Sequence, residues 1–145
     1  MKIDLKNIHV GSLIEQRVKE CDIDMVRICN FFNGDEEDII AMYGEEHILT
    51  EALLKWSKLL SYDFFRLYTQ HIVLYSPPDR AEKIAGTKPT ALPTFRKNIY
   101  TKELISFVLE QVNKGVMKRS EVITEYGIPK TTLYKWLSKY NHSQY

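Results

Sequence analysis

The sequence is poor in cysteine, and neither cysteine lies where a structural role would require it. Cys21 and Cys29 are the only two in 145 residues, and their spacing fits neither a disulfide framework nor a C-x-x-C metal or redox motif. No apolar run approaches the roughly 18 residues that cross a bilayer. The opening MKIDLKNIHV lacks the apolar stretch and cleavage site of a signal peptide. We therefore expect a cytoplasmic protein that does not contact a membrane.

The sequence also lacks the motifs of the common enzyme classes. It has no nucleophile elbow, phosphate-binding loop or dinucleotide fingerprint. The four histidines are scattered without ligand spacing, and the contiguous acids at 35–38 do not converge on one ion. We therefore expect no enzymatic activity, no metal or other cofactor, and no small-molecule substrate.

The near-neutral net charge of +1 hides an asymmetry between two parts of the chain. Residues 1–79 contain 8 lysines and arginines against 14 acids, a net charge of −6. Residues 80–145 contain 12 against 5, a net charge of +7. A basic region favours a polyanionic partner and an acidic region does not, although small domains also differ in charge by chance.

Proline marks the division between these parts. Four of the five prolines lie between residues 77 and 93, where the hydrophobic pattern loses its periodicity. We interpret residues 76–98 as a linker, with a short turn of helix at 79–85. It joins an acidic domain, residues 1–75, to a basic domain, residues 99–145. Both domains have helical periodicity, so the predicted fold class is all-α.

The acidic domain is predicted to contain five helices. Its apolar residues recur at helical spacing, beginning with Val10, Ile14 and Val18. The predicted helix-capping residues are Asp24, Asp35, Thr50 and Asp63. The buried face predicted for the fourth helix consists of Leu53, Leu54, Ser57 and Leu60, with Trp56 beside it. Residues 71–75 are either the end of the fifth helix or a β-strand, which would need a partner such as a second copy of the chain.

The basic domain has the layout of a helix-turn-helix. Thr101 is the predicted cap of its first helix and Ser120 of its second. Gly127 ends the second helix, and Pro129 leads into a third that runs from Lys130 to about residue 140.

The third helix divides into an apolar and a polar face at about 100° per residue. The predicted core residues are Leu133, Trp136, Leu137 and Tyr140. The opposite face has lysines and hydroxyls, and residues 126–145 contain no acid. Lysine reaches guanine acceptors or phosphate, and threonine offers a methyl or a hydroxyl group. Two further pairs of basic residues precede the second helix and the domain itself, where they would hold the DNA backbone or form an arm. The predicted DNA-binding residues are Lys130, Thr131, Thr132, Tyr134, Lys135, Ser138, Lys139, Lys118, Arg119, Arg96 and Lys97.

The segment RSEVITEYGIPKTTLYKWLSKY, residues 119–140, resembles the helix-turn-helix of insertion-sequence transposases and related homeodomain-like regulators. The similarity covers about residues 99–140 and depends on the pattern Tyr-Gly-Ile, basic and hydroxyl residues, then Leu-Tyr-x-Trp. Pro129 stands where the family usually has serine. The resemblance implies DNA contacts from Lys130, Thr131, Thr132 and Lys135.

Residues 11–68 resemble the five-helix domains of phage-repressor type (Xre/Cro-like), with LLKWSKLLSYDFFRL matching the fourth helix and the start of the fifth. Gly44 matches the glycine after the third helix. However, the third helix, which reads DNA in that family, begins here with the four acids at 35–38, and Met25 stands where a phosphate-contacting glutamine is common. We therefore interpret this domain as a repressor-like scaffold used for protein contacts instead of DNA.

The sequence thus predicts a sequence-specific double-stranded DNA-binding protein, either a transcriptional regulator or a transposase-type DNA-binding accessory. The C-terminal helix-turn-helix would read the major groove, and residues 1–75 would form a homodimer or bind a partner. The alternative is a protein–protein adaptor whose helical domains do not bind DNA, because a lysine-rich solvated face is common on any helix.

Overall fold

The protein is all-α. The computed structural model describes residues 3–76, 90–93 and 99–141, and these contain eight helices and no strand. The helices are α1 (Val10–Cys21), α2 (Met25–Phe32), α3 (Glu36–Gly44), α4 (Thr50–Leu59), α5 (Phe65–Tyr75), α6 (Lys102–Asn113), α7 (Arg119–Tyr126) and α8 (Lys130–Asn141). No helix in this described part is long and apolar enough to cross a bilayer.

The chain divides into two compact units, and the division falls inside α5. The N-terminal unit is Asp4–Thr69, and the C-terminal unit is Gln70–Tyr145 together with the first residues of the chain. This division precedes the predicted domain end at residue 75. The predicted linker, 76–98, has only Ser76 and residues 90–93 among the described residues, and the expected turn of helix at 79–85 lies outside them.

The helices α2, α3 and α5 of the N-terminal unit begin where the capping residues predict them. The Asp35 carboxylate accepts a hydrogen bond from the Asp38 amide at 3.0 Å, and Asp63 accepts one from the Phe65 amide at 3.1 Å. Asp24 stands at the cap of α2 without such a bond. The apolar core of the unit consists of Leu5, Ile8, Val10, Ile14, Val18, Ile28, Ile39, Leu53, Trp56, Leu60, Phe64 and Leu67.

The buried face of α4 differs from the prediction. Trp56 is fully buried in the core, whereas Leu54 is 46% exposed. The Trp56 ring lies 4.5 Å from that of Phe32 and 5.8 Å from that of Tyr43. The buried stripe therefore follows Leu53, Trp56 and Leu60, and Leu54, two residues before Trp56, points away from it. The predicted cap is also wrong by one residue, because Leu49 occupies that position.

The segment 71–75 is helical, so the β-strand alternative is wrong. α5 continues to Tyr75, and the Ser76 amide still donates to the Ile72 carbonyl at 3.2 Å. A helix satisfies its backbone groups internally, so this segment needs no strand from a second copy.

α1 and α3 meet at an unusually close backbone contact. The amides of Val10 and Gly11 donate to the carbonyls of Glu46 and Glu45, at 3.2 and 3.1 Å. Gly11 is buried there. The first amides of a helix lack intrahelical partners, and α1 finds them in the segment that ends α3.

The C-terminal unit packs α6, α7 and α8 around an apolar core. Its buried apolar residues are Leu74, Leu104, Val108, Leu109, Val122, Ile128, Leu133, Trp136 and Leu137. Tyr100 packs edge-on against Trp136, with ring centroids 5.0 Å apart. Tyr140, predicted as core, is 37% exposed, because Trp136 and Leu137 complete the buried stripe one turn earlier.

One buried polar side chain closes this unit. The amide group of Gln70 donates to the Ile99 carbonyl at 2.6 Å and accepts from the Thr101 amide at 3.0 Å. Thr101 in turn caps α6, accepting from the Leu104 amide at 3.3 Å as predicted. Gln70 thus fixes the backbone from which α6 begins.

Candidate nucleic-acid interface

The turn between α7 and α8 sets the direction of α8. Gly127 ends α7 with a φ of 61°, in the left-handed region that favours glycine. Ile128 follows fully buried, and the Pro129 carbonyl accepts the Leu133 amide at 3.1 Å to begin α8. The buried isoleucine anchors the turn, and the free face of α8 is left in solvent.

The start of α7 is capped differently from the prediction. The Lys118 amide donates to the Glu121 carboxylate at 2.7 Å, and Lys118 holds the cap position that was predicted for Ser120. A glutamate three residues into a helix commonly reaches back in this way. Glu121, one of the few acids of this unit, therefore accepts a hydrogen bond from the backbone at the start of its own helix.

The structure places most of the predicted DNA-binding residues on the exposed surface of α7 and α8. Thr132 is half-buried, and Tyr134 is 43% exposed. The other exposed ones are Lys118, Arg119, Lys130, Thr131, Lys135, Ser138 and Lys139. The predicted arm residues Arg96 and Lys97 lie outside the described residues.

Tyr134 brings two of these cations together from different helices. The Arg119 guanidinium carbon lies 5.4 Å from the centre of the Tyr134 ring, and the Lys130 ammonium lies 5.7 Å from it. Arg119 is the first residue of α7 and Lys130 the first of α8. Each cation–π contact at such an exposed site is worth about 0.5–1 kcal/mol.

The basic residues of this surface are not neutralised by acids within the described ranges 3–76, 90–93 and 99–141. Lys118, Arg119, Lys130, Lys135 and Lys139 make no ion pair there. By contrast, Lys114 on the same unit pairs with Glu110 at 2.6 Å. Unpaired cations on an acid-free helix face form a positive surface suited to polyanions.

Tyr126 serves the fold of the motif. Its hydroxyl donates to the Met117 sulfur at 3.3 Å, which ties the loop before α7 to the end of that helix. Burial raises the pKa of the Tyr126 phenol, and the nearby Tyr75 and Glu125 raise it further. The phenol therefore stays protonated and keeps its hydrogen to donate.

The N-terminal unit presents a different surface. The four acids at 35–38 are all exposed, and they surround the start of α3, where the helix dipole favours negative charge. No group of three metal-ligating side chains occurs among the described residues. Large apolar side chains are also exposed on this unit: Val26, Phe31, Ile40, Leu49 and Leu54.

Arg119, Lys130 and Tyr134 were each predicted to bind DNA, but the contacts of the two cations with the Tyr134 ring were not predicted. Lys130 and Tyr134 are four residues apart on one helix, which is a sequence signal for contact. Arg119 reaches the same ring only because the turn at Gly127 folds α7 against α8. The grouping is therefore a property of tertiary structure.

Comparisons of the chain with protein-family models, with curated proteins and with solved structures found no significant match. The resemblances to transposase-type and repressor-type domains therefore depend on the quoted residues alone.

Proposed function

We propose that this protein binds double-stranded DNA sequence-specifically through the C-terminal unit, as a transcriptional regulator or as the DNA-binding accessory of a transposase-type system. The observation that carries the proposal is the exposed face of α8, where lysines and hydroxyls without ion pairs lie beside the cations of α7. α8 enters the major groove, where Thr131 and Thr132 face base edges and Lys135 reaches a phosphate or a guanine. Lys118 and Arg119 hold the adjoining backbone.

Replacing Lys135 with alanine should weaken duplex binding by the full chain and make it less dependent on salt. Each phosphate contact contributes about −0.9 to the slope of log K against log salt, so one lost contact reduces the slope by about 1. The measurement is fluorescence anisotropy with a duplex selected from a random pool, at several salt concentrations. If Lys135 instead reads a base, the variant loses discrimination between sequences, by about 1–3 kcal/mol.

Lys114→Ala is the matched control, because it removes the same charge from the same unit at a lysine already paired with Glu110. Its affinity and salt slope should equal those of the wild type. The proposal fails if the wild-type chain binds no duplex at low salt, or if the two lysine variants are indistinguishable.

The N-terminal unit is proposed to form a homodimer or to bind a protein partner. Its support is the exposed apolar surface and the four acids, which would repel a DNA backbone. If the chain dimerises, sedimentation of the full chain should give twice the monomer mass, and selected DNA sites should be two-fold symmetric with half-sites about 10–10.5 bp apart. A monomer that binds an asymmetric site would contradict dimerisation.

The second candidate function is an adaptor in which both units bind proteins. Exposed apolar side chains on both units favour it, including Ile99 and Val116 of the C-terminal unit. The duplex-binding measurement on the full chain distinguishes the two functions. An adaptor shows no salt-dependent duplex binding, and Lys135→Ala then changes nothing in that measurement.

A further inference from the structure

Tyr134 lies where a side chain can organise charge without contacting DNA itself. Its ring contacts the guanidinium of Arg119, at the start of α7, and the ammonium of Lys130, at the start of α8. In the described part of the chain neither cation forms an ion pair with an acid. The two charges are thus gathered beside one ring and remain free to bind an anion.

The Tyr134 ring is what the two cations share, since they lie 5.4 and 5.7 Å from its centre. Both side chains are long and exposed, and like charges repel one another. The electron-rich face of an aromatic ring attracts a cation, so the ring offsets the repulsion and restricts the side chains. A phosphate that binds such a pair loses less conformational freedom than one that must gather two mobile side chains.

We propose that Tyr134 is a positioning residue that holds Arg119 and Lys130 as one phosphate-binding pair, so that a single stretch of DNA backbone is gripped from α7 and α8 together. The inference rests on the proposed function and adds to it a role for Tyr134 in placing two of the DNA-contacting cations. Arg119 supplies planar donors that fit phosphate oxygens, and Lys130 supplies a point charge. The ring face does the positioning, and the phenol hydroxyl has no part in it.

The test compares Tyr134→Phe with Tyr134→Leu in the full chain. Phenylalanine keeps the ring face and removes the hydroxyl, so duplex affinity should stay within about twofold of the wild type. Leucine keeps apolar bulk and removes the ring, so affinity should fall by about fivefold. Because Tyr134 is 43% exposed and is not part of the buried core, both variants should melt within a few degrees of the wild type, which circular dichroism checks.

A double-mutant cycle with Arg119→Ala identifies the positioning role. If the ring acts through the two cations, the effects of Tyr134→Leu and Arg119→Ala should be clearly less than additive, and Tyr134→Leu should cost no further affinity once both Arg119 and Lys130 are alanine. Lys139→Ala is the matched cycle partner, since Lys139 contacts the ring of Tyr140 at 5.4 Å and should combine additively with Tyr134→Leu.

Three results would overturn the inference while leaving the proposed function intact. The first is a loss of affinity in Tyr134→Phe as large as in Tyr134→Leu, which would mean that the hydroxyl contacts DNA directly. The second is full additivity with Arg119→Ala. The third is a Lys135→Ala variant with reduced duplex affinity beside Tyr134 variants whose affinity equals that of the wild type. A wild-type chain that binds no duplex would overturn both proposals.

Discussion

Replacing Gly11 with alanine should cost the N-terminal unit about 3 kcal/mol of stability. A Cβ atom at this position would lie 2.4 Å from the carbonyl oxygen of Met42, 2.5 Å from that of Glu45 and 2.6 Å from that of Tyr43. All three are backbone atoms, so no side-chain rotation can make room. α1 and the end of α3 would have to separate, which would lengthen the hydrogen bonds that Val10 and Gly11 donate. Chemical denaturation of the full chain, monitored by tryptophan fluorescence of Trp56 and Trp136, measures the loss.

Gly44→Ala is the control from the same contact region. Nothing lies within 4 Å of a Cβ built at Gly44, and its φ is not positive. Gly44 is the last residue of α3, where alanine is favoured by less than the roughly 1 kcal/mol of a helix interior. This variant should therefore be as stable as the wild type or slightly more so. A Gly11 variant that unfolds at the same denaturant concentration as the Gly44 variant would show that the two helices do not meet as described.

These two glycines show where sequence reasoning ends. Gly44 matches a glycine of the repressor-type pattern in the sequence, yet a Cβ atom fits at this position in the structure. Gly11 lies in an ordinary helical stripe, and its requirement arises from carbonyls more than thirty residues away. Local signals such as the Asp35, Asp63 and Thr101 caps were predictable, because a cap depends on neighbours two or three residues along the chain.

The candidate site was predictable to a similar depth. The periodicity of α8 separated buried Leu133 and Leu137 from exposed Lys135, since an α-helix fixes the angle between its own residues. It could not place Arg119 beside Tyr134, because that contact depends on the angle at which α7 meets α8. In α4 the periodicity itself separates the two residues, because buried Leu53, Trp56 and Leu60 recur at i, i+3 and i+7, and Leu54 lies off that stripe.

Gln70→Leu should destabilise the C-terminal unit by about 3 kcal/mol. Leucine fills a similar volume but leaves the Ile99 carbonyl and the Thr101 amide unpaired in a partly buried place, where each unsatisfied group costs up to about 1–3 kcal/mol. Thr101, which loses the hydrogen bond from its amide, is also the cap of α6, so the first turn of α6 should fray. Hydrogen exchange at the Thr101 and Leu104 amides would localise the effect, and wild-type protection at both would contradict it.

Gln70→Glu extends this into a dependence on pH that the leucine variant lacks. A neutral carboxyl can donate to the Ile99 carbonyl and accept from the Thr101 amide, as the glutamine does, whereas a carboxylate can only accept. Burial and the facing carbonyl raise the folded-state pKa of the introduced group above its unfolded value of about 4.3. The stability difference from wild type should therefore be smallest below the unfolded pKa and grow as the pH rises through the folded one. Denaturation at several pH values measures it. A difference that is independent of pH would mean that the side chain at position 70 escapes to solvent, and that α6 does not depend on this buried amide.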